Sequence, residues 1–360
     1  MILTKIWQRY IFKEALKVFL FFIIGFYFLY VLIDYSVHVK NFTYARFSIL
    51  DLSYYYSSHF TKRAGIIIPF ALMLATIKVL SSLNNKRELV ALSAGGLSFN
   101  TILRPLFLFA FLCMTLLYLN TEFLLPNAEI YLKNIEKEYV ENKLDKTTPT
   151  LFTIQMKDGS VLVYQNFDPK QNLFFDVFWI KDSDHITRIK YLELDGTVPK
   201  GRYVDVLVRN KNNQLSLQHS FEETTFPTLH PEEEAIQESI IPISGESLTE
   251  LFTEIYHSHK KPLEEKGELI AHFSYKLLMP LITLAVVLIP APYCMRFSRN
   301  LPLFFIYCVS IFGFVVMITL MDAAFIVAEN QLLPPFITIL LPIIVIYSIA
   351  IYHYALLHKN

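Results

Sequence analysis

The sequence contains 360 residues, of which 54% are hydrophobic, and its 32 basic side chains balance its 32 acidic ones. With a mean hydropathy of +0.40, this composition is too apolar for an ordinary soluble chain, so a membrane protein is the first class to consider. The net charge of +0 indicates no nucleic-acid partner. Cys113, Cys294 and Cys308 lie within or beside apolar segments, so the polar middle has no disulfide, and their spacing predicts no metal site.

Apolar residues collect in six segments separated by charged stretches. A helix of about 20 residues crosses a hydrocarbon core of ~30 Å. The second segment includes Lys78 near its end, where a lysine can extend its ammonium to the lipid headgroups. No small-residue cleavage site follows the first segment, which predicts a retained helix rather than a signal peptide. The predicted transmembrane helices are residues 18–33, 64–83, 105–121, 277–295, 301–321 and 331–352.

Basic residues between these helices predict the orientation of the chain. They cluster before the first helix, around the loop between the second and third, and in the loop between the fourth and fifth, whereas residues 322–330 contain none. By the positive-inside rule both termini are cytoplasmic, and the long segment 126–270 lies outside. The residues that carry this argument are Lys5, Arg9, Lys13, Lys17, Lys78, Lys86, Arg87, Arg104, Arg296 and Arg299.

The loop between the first and second helices departs from that rule. Residues 35–63 should be external, yet they include Lys40, Lys62 and Arg63. One interpretation is anchoring to anionic headgroups. The other is a basic mouth that binds an anionic lipid, and Lys62 and Arg63 suit it best because the second helix begins beside them.

The external segment 126–270 changes from helical to alternating periodicity. A helix is expected over residues 127–142, then strands over 152–156, 161–164, 173–180, 186–194, 203–209 and 214–219, with turn signals at 158–159, 195–196 and 212–213. This spacing predicts an antiparallel sandwich or jelly roll. Ser247 and Glu250 predict a capping box for a helix that ends near residue 256. His185, His219 and His230 are scattered and form no catalytic set.

The sequence contains no energy source of its own. The nearest match to a nucleotide-binding loop, residues 196–203, lacks the required lysine and hydroxyl. Asp34, Glu122 and Asp322 lie at the outer ends of the predicted helices, which disfavours ion coupling at mid-membrane. If the chain transports a substrate, the work comes from another subunit.

The cytoplasmic loop 84–98 predicts a short helix. Asn85 is a plausible N-cap with Glu88 three residues on, Leu89 and Leu92 share one face, and Gly95 or Gly96 ends the helix in the left-handed conformation. The pattern fits either a structural re-entry loop or a surface on which a partner acts.

Residues 88–98, Glu-Leu-Val-Ala-Leu-Ser-Ala-Gly-Gly-Leu-Ser, resemble the coupling segment of the LptF/LptG (YjgP/YjgQ) permease family. The likeness extends to residues 9–14, to Pro69 with Ala71 and Ala75, and to the proline-rich stretch 273–299. Residues 32–34 and 334–335 are more similar to LptG than to LptF. The basic ring at the outer end of the first helix is thinner than is typical of the family.

The resemblance implies six transmembrane helices with an inserted antiparallel β-jelly-roll domain. Residues 1–125 would hold helices one to three with a coupling helix at 85–98, residues 126–270 the periplasmic domain with flanking helices, and residues 271–360 helices four to six. It implies a multi-pass protein of the bacterial inner membrane, the non-catalytic subunit of an ABC transporter that extracts lipopolysaccharide.

The implied partners are a LptF/LptG paralogue as heterodimer, a LptB-type ATPase dimer that binds the ATP, and a LptC-like periplasmic bridge. This chain would need no cofactor. The alternative is a non-transporting receptor or sensor with a ligand-binding periplasmic β-domain. The resemblance gives ATPase coupling to Lys86, Arg87, Glu88, Leu89, Leu92 and Gly95, and the lipid-binding candidates are Lys40, Lys62 and Arg63.

Overall fold

The computed structural model divides the chain into two compact units, Met1–Tyr139 with Ile243–Asn360, and Val140–Pro242. The first unit is helical and the second is built on a β-sheet. The structure describes residues 5–44, 47–142, 152–156, 159–168, 172–182, 185–194, 199–209, 215–227, 229, 243–257, 263–295 and 303–359.

The helical unit is formed by two long antiparallel helices, a short surface helix and further helices packed around them. A π-helical turn, Asn120–Leu124, joins α4 to α5, and 3₁₀ turns at Ile243–Gly245 and Met279–Leu281 precede α6 and α8. The helices are α1 (Ile6–Tyr44), α2 (Ile49–Asn85), α3 (Glu88–Ala94), α4 (Phe99–Leu119), α5 (Leu125–Asn142), α6 (Leu248–His257), α7 (Leu263–Leu278), α8 (Ile282–Leu288), α9 (Ala291–Met295), α10 (Leu303–Glu329) and α11 (Pro335–Lys359).

Six of the helical segments are long and apolar enough to cross a membrane, as the sequence predicts. The fourth, Lys266–Met295, begins well before the predicted start at residue 277 and includes the ionisable residues His272 and Lys276. The sequence predicts that this helix begins directly after the charged Lys276. In the structure the helix begins earlier, because the side chains of His272 and Lys276 are buried inside the protein. The predicted start of the fourth helix is therefore corrected to an earlier residue.

Helix α2 lies at the centre of the helical unit. It contacts α1, α4, α8, α9 and α10. Ala71 and Ala75, both fully buried, let the neighbouring backbones approach closely. Pro69 lies inside the helix without ending it. The core of the unit is therefore organised along α2.

Prolines divide the fourth span into α7, α8 and α9. Pro280 lies in the 3₁₀ turn after α7, and Pro290 precedes α9. Tyrosine hydroxyls from other helices donate hydrogen bonds to carbonyl oxygens near the break, Tyr118 to Leu277 at 2.7 Å and Tyr347 to Leu281 at 2.8 Å. These bonds satisfy backbone groups that a broken helix leaves free in an apolar environment.

The second unit contains one antiparallel sheet. Its order among the described strands is β1-β2-β4-β5-β6-β7, with β3 paired to β4 beside β2. The predicted strands are present with shifted ends, and β3 is additional. The strands are β1 (Phe152–Gln155), β2 (Val161–Tyr164), β3 (Asn166–Asp168), β4 (Leu173–Asp182), β5 (His185–Glu193), β6 (Lys200–Arg209) and β7 (Leu215–Thr225).

The sheet has a continuous apolar face that includes Tyr164, Phe174 and Trp179, and the indole of Trp179 donates a hydrogen bond to the Ser160 hydroxyl at 3.1 Å. Gly159 has φ +83° at the hairpin between β1 and β2, as its turn signal predicts. The turns predicted at 195–196 and 212–213, with His230, lie outside the described residues. Neighbours in the described sheet follow chain order, and the jelly-roll arrangement stays a prediction.

Candidate functional site

Helix α3 forms where the sequence predicts a short helix, with different caps. Asn85 ends α2 rather than capping α3, so the predicted Asn85 cap is wrong. The residue before α3 is Arg87, whose φ of 58° turns the chain sharply between the two helices. At the other end Gly96, with φ +83°, takes the left-handed position, whereas Gly95 does not. The amide of Leu97 donates to the Leu92 carbonyl at 3.2 Å, as in a Schellman motif.

The apolar face of α3 is turned toward its own chain. Leu89 is fully buried in the core of the helical unit, and Leu92 packs against the same core. Val90, Lys86 and Arg87 are exposed on the other side. The leucines therefore fix α3 to the unit, and the exposed side is the part of α3 that a partner can contact.

A cavity of about 440 Å³ opens between α2, the π-helical turn, α5, α7 and α10. Most of its lining is apolar, and its charged residues are Lys62, Lys276, Glu129 and Asp322. A π-helical turn displaces the side chains that follow it, and such turns frequently occur at functional sites. The combination suits a ligand with an apolar body and a charged group.

Lys62 lies at this cavity, as its position at the start of the second predicted helix suggests. Its ammonium is 2.9 Å and 3.1 Å from the two carboxylate oxygens of Glu129. Glu129 is buried, with 7% of its side chain exposed, whereas half of the Lys62 side chain is exposed. Because a buried carboxylate is costly without a cation, the Lys62 ammonium stabilises the ionised form of Glu129.

Lys276 is the cavity residue that sequence reasoning missed. Its side chain is buried, and its ammonium donates a hydrogen bond to the backbone carbonyl of Glu246. The carboxyl groups of Glu246 and Glu129 lie close enough to interact with it electrostatically. A lysine immediately before an apolar run predicts the boundary of a span, so the sequence places Lys276 outside the fourth helix. The available signal was its spacing of four residues from His272, which puts both on one helix face.

The carboxyl of Glu246 stands outside the six spans, at the start of α6. Burial, reinforced by the neighbouring carboxylate of Glu254, raises its pKa to about 8, and Lys276 opposes that rise. A carboxyl that keeps its proton near neutral pH leaves the positive charge of Lys276 less compensated than a carboxylate would.

Helix α6 is tied to the cavity wall. The predicted capping box is confirmed: the Ser247 amide donates to the Glu250 carboxylate at 2.7 Å, and the Glu250 amide donates to the Ser247 hydroxyl at 3.2 Å. The amide and hydroxyl of Thr249 both donate to Glu122 in the π-helical turn. The bonds from Thr249 hold the start of α6, next to Glu246, against the π-helical turn.

The remaining lipid-binding candidates are not brought into this cavity by the described contacts. The Arg63 guanidinium lies 4.4 Å from the ring centroid of Tyr30 on α1. Lys40 belongs to α1, and its side chain lies outside what the structure describes. The structure thus brings Lys62 together with Lys276, a pair that the sequence did not suggest.

Six helices long and apolar enough to cross a membrane, with a largely apolar cavity that also carries charged side chains, are typical of a multi-pass membrane protein. The family model for the lipopolysaccharide export system permease LptF/LptG matches residues 9–356, and the chain belongs to this family. The match confirms the family resemblance without separating LptF from LptG, and it makes the chain a component of a transport system. No curated protein matches the chain.

Proposed function

We propose that this chain is a transmembrane subunit of an ABC transporter that extracts lipopolysaccharide from the bacterial inner membrane. The observation that carries the proposal is the cavity, because its apolar lining suits acyl chains and Lys62 and Lys276 suit an anionic headgroup. Both termini are cytoplasmic in this proposal. Residues 126–270 are periplasmic, form the jelly roll and pass the lipid to a LptC-like bridge.

The headgroup would compete with carboxylates that the protein already supplies. An anionic group in the cavity can replace Glu129 at Lys62, or add to the backbone carbonyl that Lys276 now contacts. Because the protein itself supplies a partner for each lysine, loss of the lipid would leave neither ammonium without a hydrogen-bond acceptor. Release of the lipid then restores the Lys62–Glu129 pair.

Energy would enter through α3. A LptB-type ATPase dimer binds the exposed side of this helix, the exposed Lys86 and Arg87 just before it and the partly exposed Glu88, and it binds the ATP. Leu89 transmits the movement to the core and α2. Between Asn85 and Thr61 the helix α2 spans roughly 36 Å, at ~1.5 Å per residue, and so connects the coupling surface to the cavity.

The paralogous subunit would cover α1. Only 6% of the most apolar 18-residue stretch of α1 is buried within this chain. This leaves a long apolar face for a second permease subunit and lipid. We assign the chain to the LptG side of the heterodimer on residues 32–34 and 334–335.

Purification of the full chain in mild detergent tests the proposal. We expect a P-loop ATPase and a second six-span permease to co-purify with it, and Val90→Asp on the exposed side of α3 to remove the ATPase while the permease pair remains. Lys200→Asp, an exposed charge change on β6, is the matched control and should leave all partners in place. A chain that purifies without an ATPase would support the receptor or sensor instead.

A further inference from the structure

Helices α7 and α10 meet along a polar seam. The Tyr275 hydroxyl donates to the Asp322 carboxylate at 2.7 Å, and the His272 ring packs edge-on against Phe325 with 4.9 Å between centroids. One turn further along, His272 Nε2 lies 3.6 Å from Glu329 Oε1. The two helices run antiparallel here. As the residue number falls along α7, the number of the residue opposite it on α10 rises.

The end of this seam gathers one imidazole and two carboxylates. Glu268 and His272 are four residues apart and share one face of α7, and Glu329 is the last residue of α10. One ligand atom from each of the three lies within 4.8 Å of the other two. A single transition-metal ion, with bonds of about 2.0–2.2 Å to nitrogen and oxygen, fits among them after small side-chain rotations.

Two independent features indicate a cation at this point. His272 is only 8% exposed, and in the part of the chain that the structure describes its ring makes no hydrogen bond, since the contact to Glu329 is too long for one. Glu329 places a carboxylate at the C-terminus of α10, where the helix dipole already concentrates negative charge. A divalent cation would coordinate the imidazole nitrogen and offset the negative charge at the C-terminus of α10.

We propose that Glu268, His272 and Glu329 form a binding site for a divalent transition-metal ion, of the zinc or manganese class, that braces α7 against α10. Imidazole nitrogen with carboxylate oxygen suits these ions, whereas magnesium favours oxygen ligands and retained water. His272 also lines the cavity, so the ion fixes the wall that carries Lys276. The site is independent of the identity of the transported ligand.

The test is calorimetric titration of the full chain, freed of any histidine tag and stripped with a chelator, with Zn²⁺, Mn²⁺ and Mg²⁺. We expect one Zn²⁺ or Mn²⁺ per chain and far weaker Mg²⁺ binding. Glu268→Gln and His272→Gln should each weaken Zn²⁺ binding by about tenfold or more. Asp322→Asn, a carboxylate change on the same seam outside the cluster, should bind like the unchanged chain.

A second measurement separates loss of the site from loss of the fold. Zn²⁺ should raise the melting temperature of the unchanged chain and of Asp322→Asn, because an ion that binds only the folded state stabilises it. At the same Zn²⁺ concentration, Glu268→Gln and His272→Gln should show a clearly smaller rise in melting temperature, while their metal-free melting stays cooperative. Absence of Zn²⁺ and Mn²⁺ binding in the unchanged chain, or equal binding in folded His272→Gln, would overturn the proposal.

Discussion

The two ends of α2 handle charge in opposite ways. At the cavity end, Lys62 pairs with a buried carboxylate and Lys276 is itself buried, so charge is held inside the protein. At the other end, Lys86 and Arg87 are exposed and the buried side chain is the apolar Leu89. Charge inside an apolar wall suits recognition of an ionic ligand, whereas charge on a surface over an apolar anchor suits docking of a protein.

From this difference between the two ends of α2, we expect substitution of Lys276 to have the largest effect. Lys276→Met should reduce stability by about 3 kcal/mol, because it removes the positive charge near the buried Glu129 carboxylate and leaves the Glu246 carbonyl without its donor. It should also abolish lipopolysaccharide extraction in proteoliposomes. Lys276→Arg keeps the charge and should retain most of both properties. If Lys276→Met extracts lipid normally, the cavity end of α2 has no special role for charge.

Leu89 should show the next largest effect on stability. Leu89→Ala leaves a space in the core under α3 and should cost about 2–4 kcal/mol in thermal or denaturant unfolding. Leu92→Ala should cost less, because Leu92 is only partly buried. Equal costs at both positions would mean that α3 is not anchored through Leu89.

Glu246 makes the cavity end sensitive to pH. Its pKa, raised from 4.5 to about 8, means that the neutral acid contributes stability that is complete below 4.5 and is lost as the pH rises through about 8. Glu246→Gln removes this dependence. The free energy of unfolding of the variant, measured relative to that of the unchanged chain, should therefore rise as the pH goes from about 5 to about 9. The rise should be on the order of 2 kcal/mol, with allowance for the partial exposure of Glu246.

Melting of both proteins in the same detergent, at each pH, measures that gain. Glu250→Gln keeps a capping-box hydrogen bond in the same segment and serves as the control for local structure. If the difference in stability between Glu246→Gln and the unchanged chain is the same at about pH 5 and about pH 9, the carboxyl of Glu246 does not titrate between these two pH values.

The smallest change in stability is expected at Glu88, the first residue of α3, on the surface where the ATPase would bind. Glu88→Ala should alter stability by about 0.5 kcal/mol or less, since the side chain is partly exposed. It should nevertheless uncouple lipid export from ATP hydrolysis in the assembled complex. ATPase activity and export, measured together in proteoliposomes, check this separation, and normal coupling in the variant would remove Glu88 from the coupling surface.

The length of the apolar segments and the alternation of apolar and polar residues made most of the fold predictable from the sequence. Six helical spans, a sheet of short strands and the Ser247–Glu250 capping box are each local patterns of residue type, and all three are present. Gly96 was one of two predicted positions for the left-handed residue after α3, because glycine adopts positive φ at little cost.

The site was less predictable because it depends on burial that no local pattern encodes. Lys276 and His272 were read as lying outside the fourth span, and only packing against α10 and the segment before α6 makes their burial favourable. The Asn85 cap failed because α2 continues to Asn85. The strand Asn166–Asp168 escaped notice because it is three residues long and forms through pairing with β4.

Photocrosslinking from the cavity tests the central claim most directly. A benzophenone amino acid in place of Phe325, which lines the cavity, should crosslink lipopolysaccharide in the assembled transporter. The crosslink should be lost in Lys276→Met and kept in Lys276→Arg, while the same probe at Phe312, exposed on α10, should not respond to either change. No crosslink at Phe325, or one indifferent to Lys276→Met, would contradict binding of the lipid headgroup in this cavity.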